Sequence, residues 1–135
     1  MALEPGLVNE IQMTVEESDT ARYSGGENLP AVFATPRLIS YMERAAHQAI
    51  VPYLEEGQTS VGTSVNIRHM GATPVGMQVR FRAELLEVDR RRLRFKVEAW
   101  DDVEKVGEGE HERFIIDLER FNQRLEQKQA ALKHE

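Results

Sequence analysis

Apolar residues recur along this chain with two different periods, and the changes between them divide it into elements. Leu7, Ile11, Met13 and Val15 fall mostly on alternate positions, the pattern of a half-buried strand over residues 7–15. Residues 17–30 are polar and include Gly25 and Gly26, which predicts a loop too long for a simple turn and of the kind that serves as a lid. At Thr35-Pro36 the period becomes helical. Threonine is a favoured N-cap and proline a favoured first helical residue, so a helix is predicted from there to about Val51, where Pro52 and Gly57 end it. Leu38, Ile39, Met42, Ala45, Ala46, Ala49 and Ile50 form one wide apolar stripe on it, opposite Arg37, Ser40, Arg44, His47 and Gln48.

From residue 59 the period is two. Val61, Thr63, Val65, Ile67 and His69 share one phase; Met77, Val79, Phe81, Ala83 and Leu85 share another; Leu93, Phe95, Val97 and Ala99 a third. Such alternation predicts antiparallel strands with a single buried face. Thr73-Pro74, Asp89-Arg90 and Asp101-Asp102 suit the connections. A last strand runs from Val106 to Leu118, with Gly107 and Gly109 marking a bulge or a close backbone approach. Residues 119–133 read as a second helix with sparse apolar contacts. The class is α+β: a five-stranded antiparallel sheet wrapped around one long helix, plus a C-terminal helix. Strand, helix, then four strands is the order of the hot-dog fold. Residues 1–135 read as one such domain, with 17–30 as a lid loop and 119–135 as the C-terminal helix and tail.

Composition narrows the chemistry. With 135 residues the chain suits one domain, and 41% hydrophobic with 30% charged residues is ordinary globular usage. There is no cysteine, which excludes disulfides, thiolate metal sites and a thiol nucleophile. A formal net charge of −6 argues against nucleic acid as a partner. Neither a secretory signal nor a membrane-spanning run is visible, so a cytoplasmic location is expected. Arg90, Arg91 and Arg92 form a basic cluster read first as a solvated hairpin tip and second as a handhold for a phosphorylated ligand such as coenzyme A.

Three polar residues could carry chemistry. Glu43 lies at the margin of the apolar stripe, roughly 20–40° from Ile39 and Ile50 at 100° per residue; its plainest partner is His47, one turn on. His69 continues a strand's inward phase to its end, where a group titrating near neutral pH could serve as general base, or could simply be a histidine bonded to backbone at the edge of the core. Thr35, predicted as the cap, also stands where the helix dipole favours negative charge. There is no P-loop, GxGxxG, HExxH or G-x-S-x-G motif. The four histidines are scattered, so no metal site and no cofactor are expected.

The segment Val32-Phe33-Ala34-Thr35, Met42-Glu43, Pro52-Tyr53-Leu54-Glu55, Gly62-Thr63, His69 with Ala72-Thr73-Pro74, Arg91-Arg92-Leu93, His111-Glu112-Arg113 and Leu118-Glu119-x-Phe121-Asn122 resembles the fluoroacetyl-CoA thioesterase family of hot-dog proteins. The likeness runs from about residue 30 to 128. It implies an acyl-CoA thioesterase that releases a free acid and coenzyme A near a dimer interface, with the coenzyme entering only as part of the substrate. Carried over, Thr35, Glu43 and His69 are the catalytic group: His69 the general base and acid, Glu43 orienting it or acting on the carbonyl carbon or water, Thr35 a nucleophile or oxyanion partner. Gly62 would let the acyl group approach the backbone, and Arg113, Phe33 and Leu29 would line the substrate site. The fluoroacetyl-specific enzyme is aromatic at the position of Leu29, and residues 17–28 do not resemble it. The acyl group therefore stays open among acetyl, propionyl and other short chains, aromatic ones included. A hot-dog enoyl-CoA hydratase or dehydratase and a non-catalytic acyl-CoA-binding protein are the alternatives, and a homodimer or tetramer is the expected assembly.

Overall fold

The computed structural model describes residues 2–134, and the last residue of the predicted tail lies outside them. Five strands are present: β1 (Val8–Thr14), β2 (Gln58–His69), β3 (Gln78–Asp89), β4 (Arg92–Asp101) and β5 (Lys105–Asp117). They form one fully antiparallel sheet in the order β1-β3-β4-β5-β2. Three helices accompany it: α1 (Ala21–Gly25), α2 (Thr35–Ile50) and α3 (Leu118–Ala130).

α2 is the helix that the sheet wraps. Its Leu38, Met42, Ala45, Ala46, Ala49 and Ile50 are buried, the stripe read from the sequence. They meet the inner faces of β3 and β4, where Val79, Phe81, Ala83, Leu85, Leu93, Phe95, Val97 and Ala99 are all fully enclosed. The small residues let helix and sheet approach. At Gly107 an added Cβ would sit 3.1 Å from Leu38 Cδ2 and from Met42 Cε, and at Gly109 it would run into the Asn66 carbonyl. Both glycines therefore mark close approaches, and beside Gly107 the β4–β5 register also slips, from Ala99 opposite Gly107 to Trp100 opposite Lys105, so the expected bulge is present as well. Phe33, Tyr41 and Phe81 fill the space under the helix start, with ring centroids 5.5–6.3 Å apart.

Four local expectations are corrected. Residues 17–30 are not an unstructured loop. They hold a 3₁₀ turn at Glu17–Asp19 and α1, and Asp19 is buried against α2, accepting from Arg37 Nε at 3.0 Å and Nη2 at 2.7 Å. Thr35 is not the N-cap. Ala34 holds that position in an extended conformation, and Thr35 is already the first helical residue, because Pro36 sits comfortably one place further in. The third concerns β2, whose inward phase does not run unbroken from Val61. The register against β5 slips between Gly62, opposite Arg113, and Ser64, opposite Glu112, leaving Thr63 as an extra residue. Ser60 and Gly62 therefore face inward before the bulge, and Val65, Ile67 and His69 after it. The fourth, the partner of Glu43, belongs to the site below.

Asp89 pairs with Arg92 across a tight β3–β4 turn in which Arg90 takes φ 60°, the left-handed region. The basic cluster is thus a hairpin tip. Arg91 lies 3.2 Å from Asp117 and Arg92 3.2 Å from Glu112, so carboxylates answer much of its charge. No helix among the described residues is long and apolar enough to cross a membrane.

Candidate active site

The end of β2 and the start of α2 meet at one pair of side chains. Thr35 Oγ1 lies 2.8 Å from His69 Nδ1. They line an open hollow of about 330 Å³ together with Phe33, Ala34, Gly71 and Ala72. The other ring nitrogen, His69 Nε2, is buried and has no hydrogen-bond partner. An unsatisfied buried polar atom costs about 1–3 kcal/mol, and in a native fold such an atom calls for a reason. Its chemistry supplies one. With Nδ1–H donating to Thr35, Nε2 presents a lone pair able to take a proton. With the Thr35 hydroxyl donating to Nδ1, the threonine oxygen is the activated group. Burial pushes the His69 pKa below its ordinary value, with the Gly71 backbone drawing it partly back, so the neutral base form is favoured. The positive end of α2 opens at Thr35, where negative charge developing on a substrate oxygen is stabilised.

Two turns further along α2 is a second cluster. Glu43 does not pair with His47; its Oε1 lies 3.6 Å from Arg113 Nη1, and His47 Nδ1 instead meets Ser60 Oγ at 2.7 Å. The reason is β5, which brings the stronger cation within reach. Arg113 is itself fixed on three sides: Nε donates to Ser60 Oγ at 2.7 Å, Nη2 to the Ser60 carbonyl at 3.0 Å and Nη1 to His111 Nε2 at 3.2 Å. His111 Nδ1 donates to the Ser64 carbonyl at 2.9 Å, which leaves Nε2 as the acceptor that the arginine needs. Gly62 faces this cluster. A Cβ there would stand 3.0 Å from Glu43 Oε1 and 3.4 Å from Arg113 Nη1. Glu43, Gly62, Thr63, Ser64, Val65 and His111 line a second hollow of about 310 Å³.

The single chain thus brings Thr35 to His69 and Glu43 to Gly62 and Arg113. It does not join the two groups: eight residues along a helix separate Thr35 from Glu43 by about 12 Å. Phe33 lines the first hollow from within the aromatic cluster; Leu29 lines neither, and is folded over Gly25 at the lip of the 17–30 segment. Sequence reasoning missed Ser60, gave His47 to Glu43 rather than to Ser60, and counted His111 only among scattered histidines. The available signal was phase, since His111, Arg113 and Ile115 alternate on β5 and all three are buried. A larger hollow of about 630 Å³ lies between β5 and α3, lined by Phe114, Ile116, Phe121, Arg120 and Arg124. Asp117, its only carboxylate, is engaged by Arg91, so it holds no free base and the chemistry belongs to the smaller hollows.

Burial is the first cause of a lowered pKa at each of His47, His69 and His111, with the Arg113 charge adding to it at His47 and His111. The folded chain therefore binds fewer protons than the unfolded chain in this range, and stability rises with pH up to the ordinary histidine value of about 6.5. Unfolding by urea is expected to show a plateau above that pH and a falling midpoint below it. An unchanged midpoint between pH 7.5 and 5.5 would contradict the burial argument.

Comparison with known proteins defines the class. A hot-dog-like protein from Thermanaerovibrio acidaminovorans superposes with a TM-score of 0.85 over 93% of each chain at 22% identity, which establishes the fold as hot-dog. Residues 15–119 match the family described as fluoroacetyl-CoA-specific thioesterase. The fluoroacetyl-CoA thioesterase of Streptantibioticus cattleyicolor is 46% identical over 102 residues, 76% of this chain and 73% of that protein. A crystal structure of a point variant of the fluoroacetyl-CoA-specific thioesterase in complex with fluoroacetate and CoA superposes at a TM-score of 0.84 with 39% identity, covering 88% of this chain and 99% of that one. This chain belongs to the fluoroacetyl-CoA-specific thioesterase family, whose members are thioester hydrolases of the hot-dog fold.

Proposed function

We propose that this chain hydrolyses a small acyl-CoA, giving the free acid and coenzyme A, with Thr35, Glu43 and His69 as its catalytic group. The observation that carries the reading is His69: a half-buried imidazole with one nitrogen on Thr35 and the other, itself buried, unpartnered beside an open hollow. His69 takes a proton from water or from the Thr35 hydroxyl as oxygen attacks the thioester carbon. The oxyanion forms against the positive end of α2. The imidazolium then returns the proton to the departing thiolate. Where water attacks, the acid leaves with the thiol; where Thr35 attacks, a water deprotonated by His69 next hydrolyses the Thr35 ester, so that either route consumes one water and releases one thiol and one acid. Glu43, held by Arg113, acts on the carbonyl carbon or on the water, and Gly62 gives the acyl group access to the backbone.

The relative's name specifies fluoroacetyl; for this chain the acyl group is a short one not restricted to that, because Leu29 stands where the fluoroacetyl-specific enzyme is aromatic. A homodimer is part of the reading. β2 is an edge strand of twelve residues whose inward Val65 is 44% exposed, and a second copy would cover both. A cytoplasmic location and a single catalytic domain over residues 1–135 are parts of the same reading, supported by an acyl-CoA substrate and by one continuous sheet around α2. The test is thiol release from a panel of C2 to C8 acyl-CoAs with fluoroacetyl- and phenylacetyl-CoA added. Turnover of at least one short thioester is expected. Binding without thiol release would overturn the reading in favour of a sensor, and hydration of a 2-enoyl chain in favour of a hydratase.

A further inference from the structure

We infer that Ser60 is a positioning residue for the reaction, holding Arg113, and through it Glu43, with its own hydroxyl oriented by His47. The inference rests on the thioesterase reading of Glu43. Its support is a closed chain of donors and acceptors around one guanidinium. Ser60 offers Arg113 two acceptors at once, its hydroxyl to Nε at 2.7 Å and its carbonyl to Nη2 at 3.0 Å. That fork fixes the guanidinium plane, as a single contact could not. Because the Ser60 oxygen accepts from Arg113, its proton is directed at His47 Nδ1, 2.7 Å away. On the far side His111 Nε2 takes one Nη1 hydrogen, and the other is left for Glu43 Oε1 at 3.6 Å. The carboxylate position is therefore set through Arg113 on β5 and Ser60 on β2, and the chain of contacts returns to α2 at His47.

Arg113 and Ser60 are both buried, so the arrangement does not exchange with solvent contacts. Removing the hydroxyl leaves Nε–H without an acceptor and frees the guanidinium to tilt toward Glu43 or away from it. A hydrogen bond to a charged group of this kind corresponds to about a tenfold effect. The cost falls on the chemical step, since Ser60 lines neither hollow and touches no substrate.

The decisive comparison is Ser60→Ala against Ser60→Thr on the whole chain, with the best acyl-CoA of the panel. The alanine variant is expected to lose about tenfold in kcat with KM within about twofold, and the threonine variant, which keeps the hydroxyl, to recover most of the loss. Full kcat in Ser60→Ala, or equal loss in both variants, would overturn the inference while leaving the thioesterase reading intact. Should the alanine variant fail to fold, His47→Leu keeps Ser60 but removes the acceptor for its proton; unchanged kcat there overturns the orienting role. The Arg113 Nε–H resonance reads the same contact without turnover. It is expected to be protected from exchange in the parent protein and unprotected in Ser60→Ala, and unchanged protection counts against the inference even if no acyl-CoA is a substrate.

Discussion

Replacing His69 by alanine is expected to lower kcat/KM by about 10²–10⁴-fold, the usual contribution of a positioned acid–base group, while the melting temperature hardly changes. The two halves of that expectation have one cause. His69 Nε2 is buried without a partner, so removing it relieves a desolvation cost that partly offsets the lost packing and the lost Thr35 bond. Among the described residues no other histidine lines the Thr35 hollow: His47 and His111 are bound to Ser60 and Ser64 in the second cluster. Because burial lowers the His69 pKa, the acidic limb of the parent enzyme's pH–rate profile is expected below the ordinary histidine value of about 6.5. Steady-state kinetics with the best substrate, beside thermal unfolding, checks both. More than a tenth of parental kcat/KM in a folded His69→Ala protein would remove His69 from the mechanism.

Phe81→Ala is the second large effect, and here stability should fall by about 3–5 kcal/mol. Phe81 is fully buried, and its ring lies 6.3 Å from that of Phe33 and 5.5 Å from that of Tyr41. Tyr41 in turn carries the guanidiniums of Arg37 and Arg44 on its ring at 5.6 and 4.7 Å. An alanine removes the floor of this stack, and the surrounding sheet cannot collapse to fill it because Val79 and Ala83 are held by ladders on both sides. For a chain of this length the loss corresponds to roughly 10–18 °C in melting temperature. Since Phe33 both belongs to the stack and lines the Thr35–His69 hollow, KM should rise in the folded fraction as well. Calorimetry that finds a shift under about 4 °C would show that the cluster is looser than its packing indicates.

What was legible in the sequence follows the range of the interactions that decide each feature. β3 and β4 show their inward faces in Val79 to Leu85 and Leu93 to Ala99, because alternation is a local signal and both strands are central. α2 was equally plain, since its stripe is as long as the helix. Thr35 could not be placed by sequence at the first helical position rather than the cap, as Pro36 is acceptable one residue either way. α1 is a single turn of five residues, too short for a period to register. Glu43 illustrates the hardest case. Helical spacing nominates His47, but the actual partner is Arg113, seventy positions later, and only the pairing of β2 with β5 makes it a neighbour. The resemblance to a known family named Thr35, Glu43 and His69 together; it could not indicate that Ser60, His47 and His111 stand behind them.

The extra residue in β2 has a consequence for how this strand tolerates change. Gly62 and His69 are seven positions apart, an odd number, and an unbroken strand would send them to opposite faces. Thr63 restores parity. Its own side chain is exposed at the rim of the second hollow, and whatever residue stands there, the position could not be omitted. Deleting it would keep every chemical group and every strand of the sheet while turning either the glycine or the imidazole out to solvent. Along this stretch the count of residues between Gly62 and His69 is as much a requirement of the site as the glycine and the imidazole themselves.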